Sequence, residues 1–370
     1  MFQILTLNKI SKYGLEKLDA SKYVYGDDFT AADAVMVRSA SMHETVLDKN
    51  TVAIARCGAG TNNIPVDACA ENGVVVFNTP GANANGVKEL VLCAMLLSSR
   101  KVVAGMEWCK TLKGQGSEVS KAVEKGKGAF VGPEIKGKTL GVIGLGAIGR
   151  LVAEAAIALG MDVIGYDPFP VKGVCDKVQI VTELAPVFEN SDYISLHAPA
   201  TPATKGMINK DSIATMKDSV RILNFARGDL VNSDDILAAL ASGKVAAYAT
   251  DFPTDDQLCA EGVIAMPHLG ASTPESEDNC AVMAAEELTA YLETGAIKNS
   301  VNFPNAELPE SFTERTCVLH KAEAADAVAA ALGDVVFAGA KKDWGYTVAD
   351  KKADVDALLS IDGVVRVRVL

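Results

Sequence analysis

A glycine-rich segment near the middle of the chain carries the clearest chemical pattern. Gly144, Gly146 and Gly149 have G-x-G-x-x-G spacing, directly after an apolar run and directly before an amphipathic stretch. This context predicts a strand, a tight turn and a helix whose N-terminus faces the pyrophosphate of a dinucleotide. Asp167 ends the next apolar run. Its carboxylate can accept hydrogen bonds from the adenosine ribose and would repel a 2′-phosphate, so the pattern predicts NAD rather than NADP.

Two further residues follow apolar runs, where open α/β sheets bind ligands. Arg227 comes after the run VRIL, and its guanidinium can hold the carboxylate of a 2-oxo or 2-hydroxy acid and polarise the neighbouring carbonyl. His268 lies in IAMPHLGAST, and an imidazole can exchange the hydroxyl proton while a hydride moves to or from nicotinamide. The alternatives are a solvated arginine and a hydrogen-bonded core histidine.

An acidic loop lies between these two residues. Its segment TDFPTDDQL contains Asp251, Asp255 and Asp256. One of these carboxylates could hold the imidazole and favour its protonated form, whereas a solvated acidic loop is the alternative. The residues alone leave this choice open.

Composition narrows the range of partners. The chain has 370 residues, which at roughly 150 per domain predicts two or three domains. Its 35 basic and 47 acidic residues give a net charge of −12, so we expect neither a nucleic-acid nor a membrane partner, and local cations must bind any anionic substrate. No apolar run approaches the roughly 20 residues of a membrane span. The first residues show no basic region followed by a long apolar stretch, so we expect no secretory signal and a cytoplasmic protein. Eight scattered cysteines without C-x-x-C pairing indicate reduced thiols and no metal site.

The elements that must position these residues follow from the alternation of apolar runs and helical stretches. Such alternation over the first 80 residues, and again from Thr139, predicts two doubly wound α/β units with parallel sheets. Residues 86–112 lack an internal proline and read as one long helix. The polar stretch after residue 305 reads as a linker. The remaining residues have the order βαββαβ, which suits a small ferredoxin-like module.

The motifs together resemble a known family. VRSA, ARCGAGTNNI, NTPGANANGVKEL, NFARG, PHLGAST and NSVNFP occur in the order and spacing of the D-isomer-specific 2-hydroxyacid dehydrogenases, and within them the D-3-phosphoglycerate dehydrogenases are the most similar. The resemblance covers residues 32–306. It implies a flavodoxin-like substrate domain (1–82 and 276–306) and a Rossmann NAD domain (83–275). The tail, residues 312–370, resembles an ACT domain and is expected to be regulatory.

The resemblance also implies roles for individual residues. Arg227 is similar to the substrate-binding arginine, His268 to the general acid/base, and Asp256 to the acid that the family places five residues after Asp251. In this loop the chain departs from the family, because F-P replaces V-F, aspartate replaces glutamate and a proline is missing. The loss of one methylene withdraws the carboxylate by about 1.3 Å.

Further site residues come from the same resemblance. His197 is expected to have a structural role near the cofactor. The substrate-binding residues it implies are Arg38, Arg56, Gly58 and Ala59. The cofactor-binding residues it implies, in addition to the three glycines and Asp167, are Ala147, Ile148, Ala198, Phe225, Ala226, Asp251 and Gly270.

The expected activity is NAD-dependent oxidation of 3-phospho-D-glycerate to 3-phosphooxypyruvate, the first step of serine biosynthesis. The alternatives are another D-2-hydroxyacid dehydrogenase, such as a glycerate or hydroxypyruvate reductase, and an NAD-sensing interaction protein similar to the family's corepressors. The resemblance implies a homodimer or a homotetramer. Ala322 stands where ACT domains that sense serine have an asparagine, so regulation by serine stays open.

Overall fold

A computed structural model describes residues 1–370 of the chain. It divides into two compact units: residues 1–83 together with 274–370, and residues 84–273.

The N-terminal part of the first unit is a five-stranded parallel sheet in the order β2-β1-β3-β4-β5. Its elements are β1 (Phe2–Leu7), α1 (Lys12–Leu15), β2 (Tyr23–Gly26), β3 (Ala34–Val37), β4 (Ala53–Arg56), α2 (Val66–Glu71) and β5 (Val75–Asn78). The central strands are apolar without alternation, as a sheet covered on both faces requires. The strand order is that of flavodoxin-like folds, which confirms the predicted class.

The second unit is built on a seven-stranded parallel sheet in the order β12-β11-β10-β9-β6-β7-β8. Its helices are α3 (Ala84–Ser99), α4 (Val102–Thr111), α5 (Val119–Gly126), α6 (Ala147–Ala158), α7 (Ala185–Asn190), α8 (Lys210–Thr215) and α9 (Ser233–Ala241). Its strands are β6 (Thr139–Ile143), β7 (Asp162–Tyr166), β8 (Val178–Val181), β9 (Tyr193–Leu196), β10 (Val220–Asn224), β11 (Val245–Thr250) and β12 (Val263–Ala265). The strand order reverses between β6 and β9, as in a Rossmann fold, which confirms the prediction.

The single helix predicted for residues 86–112 is wrong, because α3 ends at Ser99 and α4 starts at Val102. The hydroxyls of Ser98 and Ser99 both donate to the carbonyl of Met95, and the guanidinium of Arg221 donates to the carbonyl of Ser98. These side chains take the acceptors at the end of α3, which favours its termination.

The rest of the first unit consists of a long helix and the tail. Its elements are α10 (Pro274–Thr294), β13 (Thr316–Lys321), α11 (Ala325–Leu332), β14 (Val335–Lys341), β15 (Trp344–Ala349), α12 (Val355–Leu359) and β16 (Val364–Val369). The predicted order βαββαβ is confirmed, and the four strands form an antiparallel sheet ordered β14-β15-β13-β16. One face of this sheet packs on α11 and α12, while Cys317, Leu319, Tyr346 and Val348 on the other face join the core around α10.

None of the helices is both long enough and apolar enough to cross a lipid bilayer.

Candidate active site

The three glycines of the loop between β6 and α6 are each required for a different reason. Gly144 has φ 96°, and a Cβ on it would lie 2.7 Å from the carbonyl carbon of His197. A Cβ on Gly149 would lie 1.9 Å from the carbonyl oxygen of Gly144, so the helix packs directly on the turn. A Cβ on Gly146 would meet no atom within 4 Å. The open side of the loop is therefore at Gly146, where a phosphate can approach the backbone.

The first turn of α6 faces this open side. The helix begins at Ala147, with Gly146 as its N-cap and Ile148 as its second residue. The N–H groups of a first turn have no acceptor inside the helix, and the helix dipole favours negative charge there. The loop thus has the features that hold the pyrophosphate of NAD.

Asp167, immediately after β7, is linked to the glycine loop. One of its carboxylate oxygens accepts from the backbone N–H of Leu145 at 2.9 Å, and the other accepts from the N–H of Phe169 at 3.0 Å. Each oxygen retains a lone pair for a ribose hydroxyl. The carboxylate is therefore held at the turn, with its negative charge where a 2′-phosphate of NADP would be repelled.

The other predicted cofactor residues lie after neighbouring strands of the same sheet. Ala198 follows β9, Phe225 and Ala226 follow β10, Asp251 follows β11, and Gly270 follows β12. Parallel strands place their carboxyl ends at one edge, so the fold collects these residues along the edge that carries the glycine loop. Their contacts with a cofactor stay predictions.

His197 is an uncharged residue beside the glycine loop. Its Nε2 lies 2.8 Å from the hydroxyl of Ser195, and its Nδ1 is buried without a hydrogen-bond partner. Burial lowers the pKa of His197 to about 4. At neutral pH the ring is therefore neutral, which is compatible with the structural role predicted for it.

Arg227 follows β10 in a loop held by its own strand. The side-chain amide of Asn224 donates to the carbonyl of Arg227 at 2.9 Å, and the guanidinium donates to the carbonyl of Ala226 at 2.7 Å. The side chain is otherwise exposed. It can therefore turn its remaining donors to a carboxylate.

Asp251 is the acid that shares an electrostatic environment with His268 and Arg227. It is only 4% exposed, and its Oδ1 has no hydrogen-bond partner. Burial raises the pKa of Asp251, and the charges of His268 and Arg227 oppose that rise. The ring of His268 packs on Phe252, with the ring centroids 4.5 Å apart. The structure therefore places Asp251 where its charge interacts with those of His268 and Arg227.

The predicted pairing of Asp256 with His268 is not present. The carboxylate of Asp256 is exposed and accepts from the hydroxyl of Ser233 at 2.7 Å and from the hydroxyl of Thr254. These two hydroxyls lower the pKa of Asp256. Thr254 and Gln257 form a capping box around a short 3₁₀ turn, which directs Asp256 toward the start of α9. The spacing T-x-x-Q of Thr254 and Gln257 is typical of a capping box and indicates this turn. Counting five residues from Asp251 takes no account of it.

The predicted substrate residues of the first unit lie after β3 and β4. Arg38 forms an ion pair with Glu277 near the start of α10. Arg56 ends β4, and its guanidinium covers Gly58, where a Cβ would lie 1.5 Å from Nη1. Gly58 has φ 151°, which favours glycine. Sequence reasoning missed Glu277, since no pattern links α10 to β3.

The loop after β4 is held by two residues at the end of β5. The side-chain amide of Asn78 donates to the carbonyl of Ala59 at 2.5 Å, and the N–H of Thr79 donates to the carbonyl of Gly58 at 3.1 Å. Burial raises the pKa of the neighbouring Cys57 thiol to about 12, so this cysteine is an uncharged filler of the core. Asn78 lies in the motif NTPGAN, but the motif does not indicate that Asn78 binds the carbonyl of Ala59.

Two polar residues of the tail, Arg315 and His320, are buried and paired. The guanidinium of Arg315 binds the carboxylate of Asp350 and donates to the carbonyl of Thr294 at 2.7 Å. The ring of His320 lies 2.9 Å from the hydroxyl of Thr347, and burial lowers its pKa. His320 thus links two strands of the tail, Arg315 links the tail to the end of α10, and the regulatory role of the tail stays a prediction.

Comparisons with known proteins agree on one family. Residues 92–270 match the model of the D-isomer specific 2-hydroxyacid dehydrogenase NAD-binding domain. The chain is 38% identical to the hydroxypyruvate reductase of Thermotoga maritima over 268 residues, which cover 69% of this chain and 83% of that protein. It is 37% identical to the D-3-phosphoglycerate dehydrogenase of Methanocaldococcus jannaschii over 285 residues, 74% of this chain and 52% of that one.

Among solved structures, the fold is similar to the NAD⁺-bound 3-phosphoglycerate dehydrogenase of Entamoeba histolytica. The TM-score is 0.64 at 27% identity, covering 81% of this chain and 98% of that chain. The matched residues span only about half the length of the curated D-3-phosphoglycerate dehydrogenases, 52% in the Methanocaldococcus enzyme and 59% in that of Bacillus subtilis.

Proposed function

The chain belongs to the D-isomer-specific 2-hydroxyacid dehydrogenases, oxidoreductases with an NAD-binding Rossmann domain, and we propose that it oxidises 3-phospho-D-glycerate to 3-phosphooxypyruvate with NAD. That reaction is the first step of serine biosynthesis. The main support is the similarity to D-3-phosphoglycerate dehydrogenases, which is 37% identity over 74% of this chain for the Methanocaldococcus enzyme. Within the first unit, Arg56 and the Glu277-paired Arg38 lie at the loop edge of the sheet, where they are cations for an anionic group of the substrate.

The chemistry follows from the edge of the seven-stranded sheet. The glycine loop and Asp167 would hold NAD, which when bound would supply the acceptor for the hydride at C2 of the hydroxy acid. His268 takes the proton of the C2 hydroxyl, so the carbonyl forms as the C–H bond breaks. Arg227 holds the carboxylate and polarises the C2 oxygen. Asp251, buried next to this pair, stabilises the imidazolium that proton transfer produces.

A reductase of hydroxypyruvate or glycerate type is the second candidate. The Thermotoga maritima relative, of which this chain covers 83%, is named hydroxypyruvate reductase. Its substrate has a single anionic group, so the same histidine and arginine would serve it in the direction of reduction.

The deciding experiment measures NADH formation with 3-phospho-D-glycerate, D-glycerate and D-lactate, and NADH consumption with hydroxypyruvate. We expect kcat/KM for the phosphorylated acid to exceed that for D-glycerate by about tenfold or more, the effect of one charge-assisted hydrogen bond. A higher kcat/KM for glycerate or hydroxypyruvate would favour the second candidate. NADH binding without turnover of any acid would indicate the interaction protein.

We also propose that the protein is a homo-oligomer. Helix α4 has no buried residue, and Val102, Val103 and Met106 on it are about half exposed. Val102 and Met106 line a groove of about 440 Å³ that also contains Trp108 and Phe130. Apolar surface of this kind is usually covered by another protein, and a second copy is always available. Met106→Glu should shift the sedimentation coefficient toward a monomer, and an unchanged value would contradict the proposal.

All eight cysteines are unpaired, which favours the predicted cytoplasmic location.

A further inference from the structure

Glu287, in the middle of α10, is a buried carboxyl group that the proposed reaction does not use. Its side chain is only 4% exposed. Its Oε1 accepts from the side-chain amide of Asn299 at 2.6 Å, and its Oε2 is buried without a partner. Burying a carboxyl group with an unpaired oxygen is costly, so this position requires a physical reason.

A chain of hydrogen bonds leads from Glu287 to the loop after β4. The backbone carbonyl of Asn299 accepts from the N–H of Asn78 at 3.3 Å. The side-chain amide of Asn78 in turn donates to the carbonyl of Ala59 at 2.5 Å. Glu287 is therefore three hydrogen bonds away from the loop that carries the predicted substrate residues.

The middle member of this chain has a constrained backbone. Asn299 has φ 57°, in the left-handed region, which asparagine adopts more readily than most residues other than glycine. The hydrogen bond from its side chain to Glu287 fixes the side chain of the residue whose carbonyl binds Asn78. Loss of this bond would remove one of the contacts that orient that carbonyl.

The loop after β4 is closely packed. Gly58 lies directly under the guanidinium of Arg56, and its carbonyl accepts from the N–H of Thr79. A displacement of the Ala59 carbonyl would therefore move the neighbouring amides and the guanidinium together.

Few charged or titratable groups face Glu287. They are Glu286 on its own helix, Lys298 next to Asn299, and the thiol of Cys57, whose pKa is raised by burial first and slightly by Glu287. Burial raises the pKa of Glu287 to about 8, the bond from Asn299 and the charge of Lys298 oppose the rise, and Glu286 adds to it. The carboxyl group is therefore mostly protonated at neutral pH and ionises as the pH rises through about 8.

We propose that Glu287 is a positioning residue for the loop Arg56–Ala59, acting through Asn299 and Asn78, and that its neutral form supports anion binding by that loop. The proposal rests on the proposed function, because it takes this loop to bind an anionic group of the substrate. In alkaline solution, the ionised carboxylate would add a negative charge below the loop and oppose the anion.

The test compares Glu287→Gln and Glu287→Leu with Glu286→Gln. Glu286 is a matched control, since it is the adjacent acid on the same helix, is exposed and pairs with Lys17. Steady-state kinetics with 3-phospho-D-glycerate would be measured from about pH 6.5 to 9.5, the range around the pKa of about 8. We expect the wild-type KM for this substrate to rise as Glu287 ionises, and Glu287→Gln to remove that rise while it keeps the neutral-pH value.

Glu287→Leu lacks the acceptor for Asn299. We expect it to raise the KM for the hydroxy acid about two- to tenfold at every pH, the range for loss of one hydrogen bond, with kcat and the KM for NAD unchanged. The exchange of backbone amide hydrogens in residues 56–60 should become faster in Glu287→Leu and stay at the wild-type rate in Glu286→Gln.

Two results would overturn the proposal. One is a Glu287→Gln variant whose KM keeps the wild-type pH dependence, and the other is unchanged exchange at residues 56–60 in Glu287→Leu. The proposed function is judged separately, by the wild type alone. If the wild type oxidises a different 2-hydroxy acid, the variants are compared on that acid, and the exchange measurement needs no activity.

Discussion

The glycine loop after β6 and the loop after β4 are both predicted to bind anionic groups, but they are built in different ways. In the glycine loop, three residues within six positions set the turn, the open side and the packing of the helix. The loop after β4 depends on partners far along the chain, since Asn78 holds Ala59 and Asn299 holds Asn78.

The difference shows which kind of site a motif can represent. A site made by consecutive backbone groups appears in the sequence as spacing, because each glycine meets a steric need of its close neighbours. A site held by side chains from other elements appears only as isolated residues. Glu277 and Glu287 on α10 are both of this second kind.

The largest expected effect concerns proton transfer by His268, which lies in neither of the two anion-binding loops. His268→Asn should lower kcat by roughly 10² to 10⁴, the usual contribution of general acid–base catalysis, with the affinity for NADH nearly unchanged. Stopped-flow kinetics and NADH fluorescence titration measure the two quantities. A decrease below about tenfold would mean that His268 does not transfer the proton.

The second prediction concerns the pH dependence of stability in the unit that contains the loop after β4. Burial raises the pKa of Glu287 from 4.5 to about 8 on folding, so the folded chain binds more protons than the unfolded chain between these values. The free energy of unfolding should therefore fall as the pH rises through this range, by up to about 1.4 kcal/mol per pH unit from this group.

Urea unfolding at several pH values measures this slope. Glu287→Gln should reduce it, because the amide does not titrate. Glu286→Gln removes only the smallest contribution to the raised pKa of Glu287 and should leave the slope nearly unchanged. Equal slopes in the wild type and Glu287→Gln would show that the carboxyl group is ionised in the folded chain at neutral pH.

The third prediction contrasts two glycines of the same loop. Gly149→Ala places a methyl group against the carbonyl oxygen of Gly144 and should lower the free energy of unfolding by about 1 to 3 kcal/mol, the usual cost of overpacking. Gly146→Ala meets no atom and should leave stability unchanged while it weakens NAD binding. Thermal unfolding with and without NAD distinguishes them, and equal melting temperatures without NAD would contradict the contrast.

Much of the fold could be predicted from local patterns. The two parallel sheets and the βαββαβ order of the tail follow from apolar runs and their spacing. The break between α3 and α4 could not be predicted, because Arg221, far along the chain, takes the carbonyl of Ser98. The attachment of the tail could not be predicted either, because it depends on residues far apart in the sequence: Arg368 donates to the carbonyls of Tyr291 and Leu292 at the end of α10.

The candidate site shows the same limit of sequence-based prediction within a single loop. The family count selects Asp256, whereas the structure directs that carboxylate to Ser233 and Thr254 and leaves Asp251 beside His268. Counting along a loop fails when a turn with its own capping residues redirects the side chain.

The smallest expected effect tests whether Asp251, rather than Asp256, assists His268. Proton transfer changes the charge of His268, and the buried carboxylate of Asp251 interacts with that charge. Asp251→Asn removes the negative charge and should lower kcat for reduction, by less than His268→Asn does. Asp256→Asn removes a charge that the hydroxyls of Ser233 and Thr254 already bind, so kcat should stay at the wild-type value.

Asp255→Asn provides the control, because it makes the same charge change in the same loop at a position that neither the family count nor the structure selects. All three variants are measured for reduction with saturating NADH, which keeps any cofactor contact of Asp251 from affecting the result. A kcat that falls with Asp256→Asn and not with Asp251→Asn would mean that Asp256 leaves Ser233 and turns to His268 during the reaction. The comparison between the two kinds of loop would then extend to motion, since a hydroxyl-bound acid on an exposed turn is released more easily than a buried one.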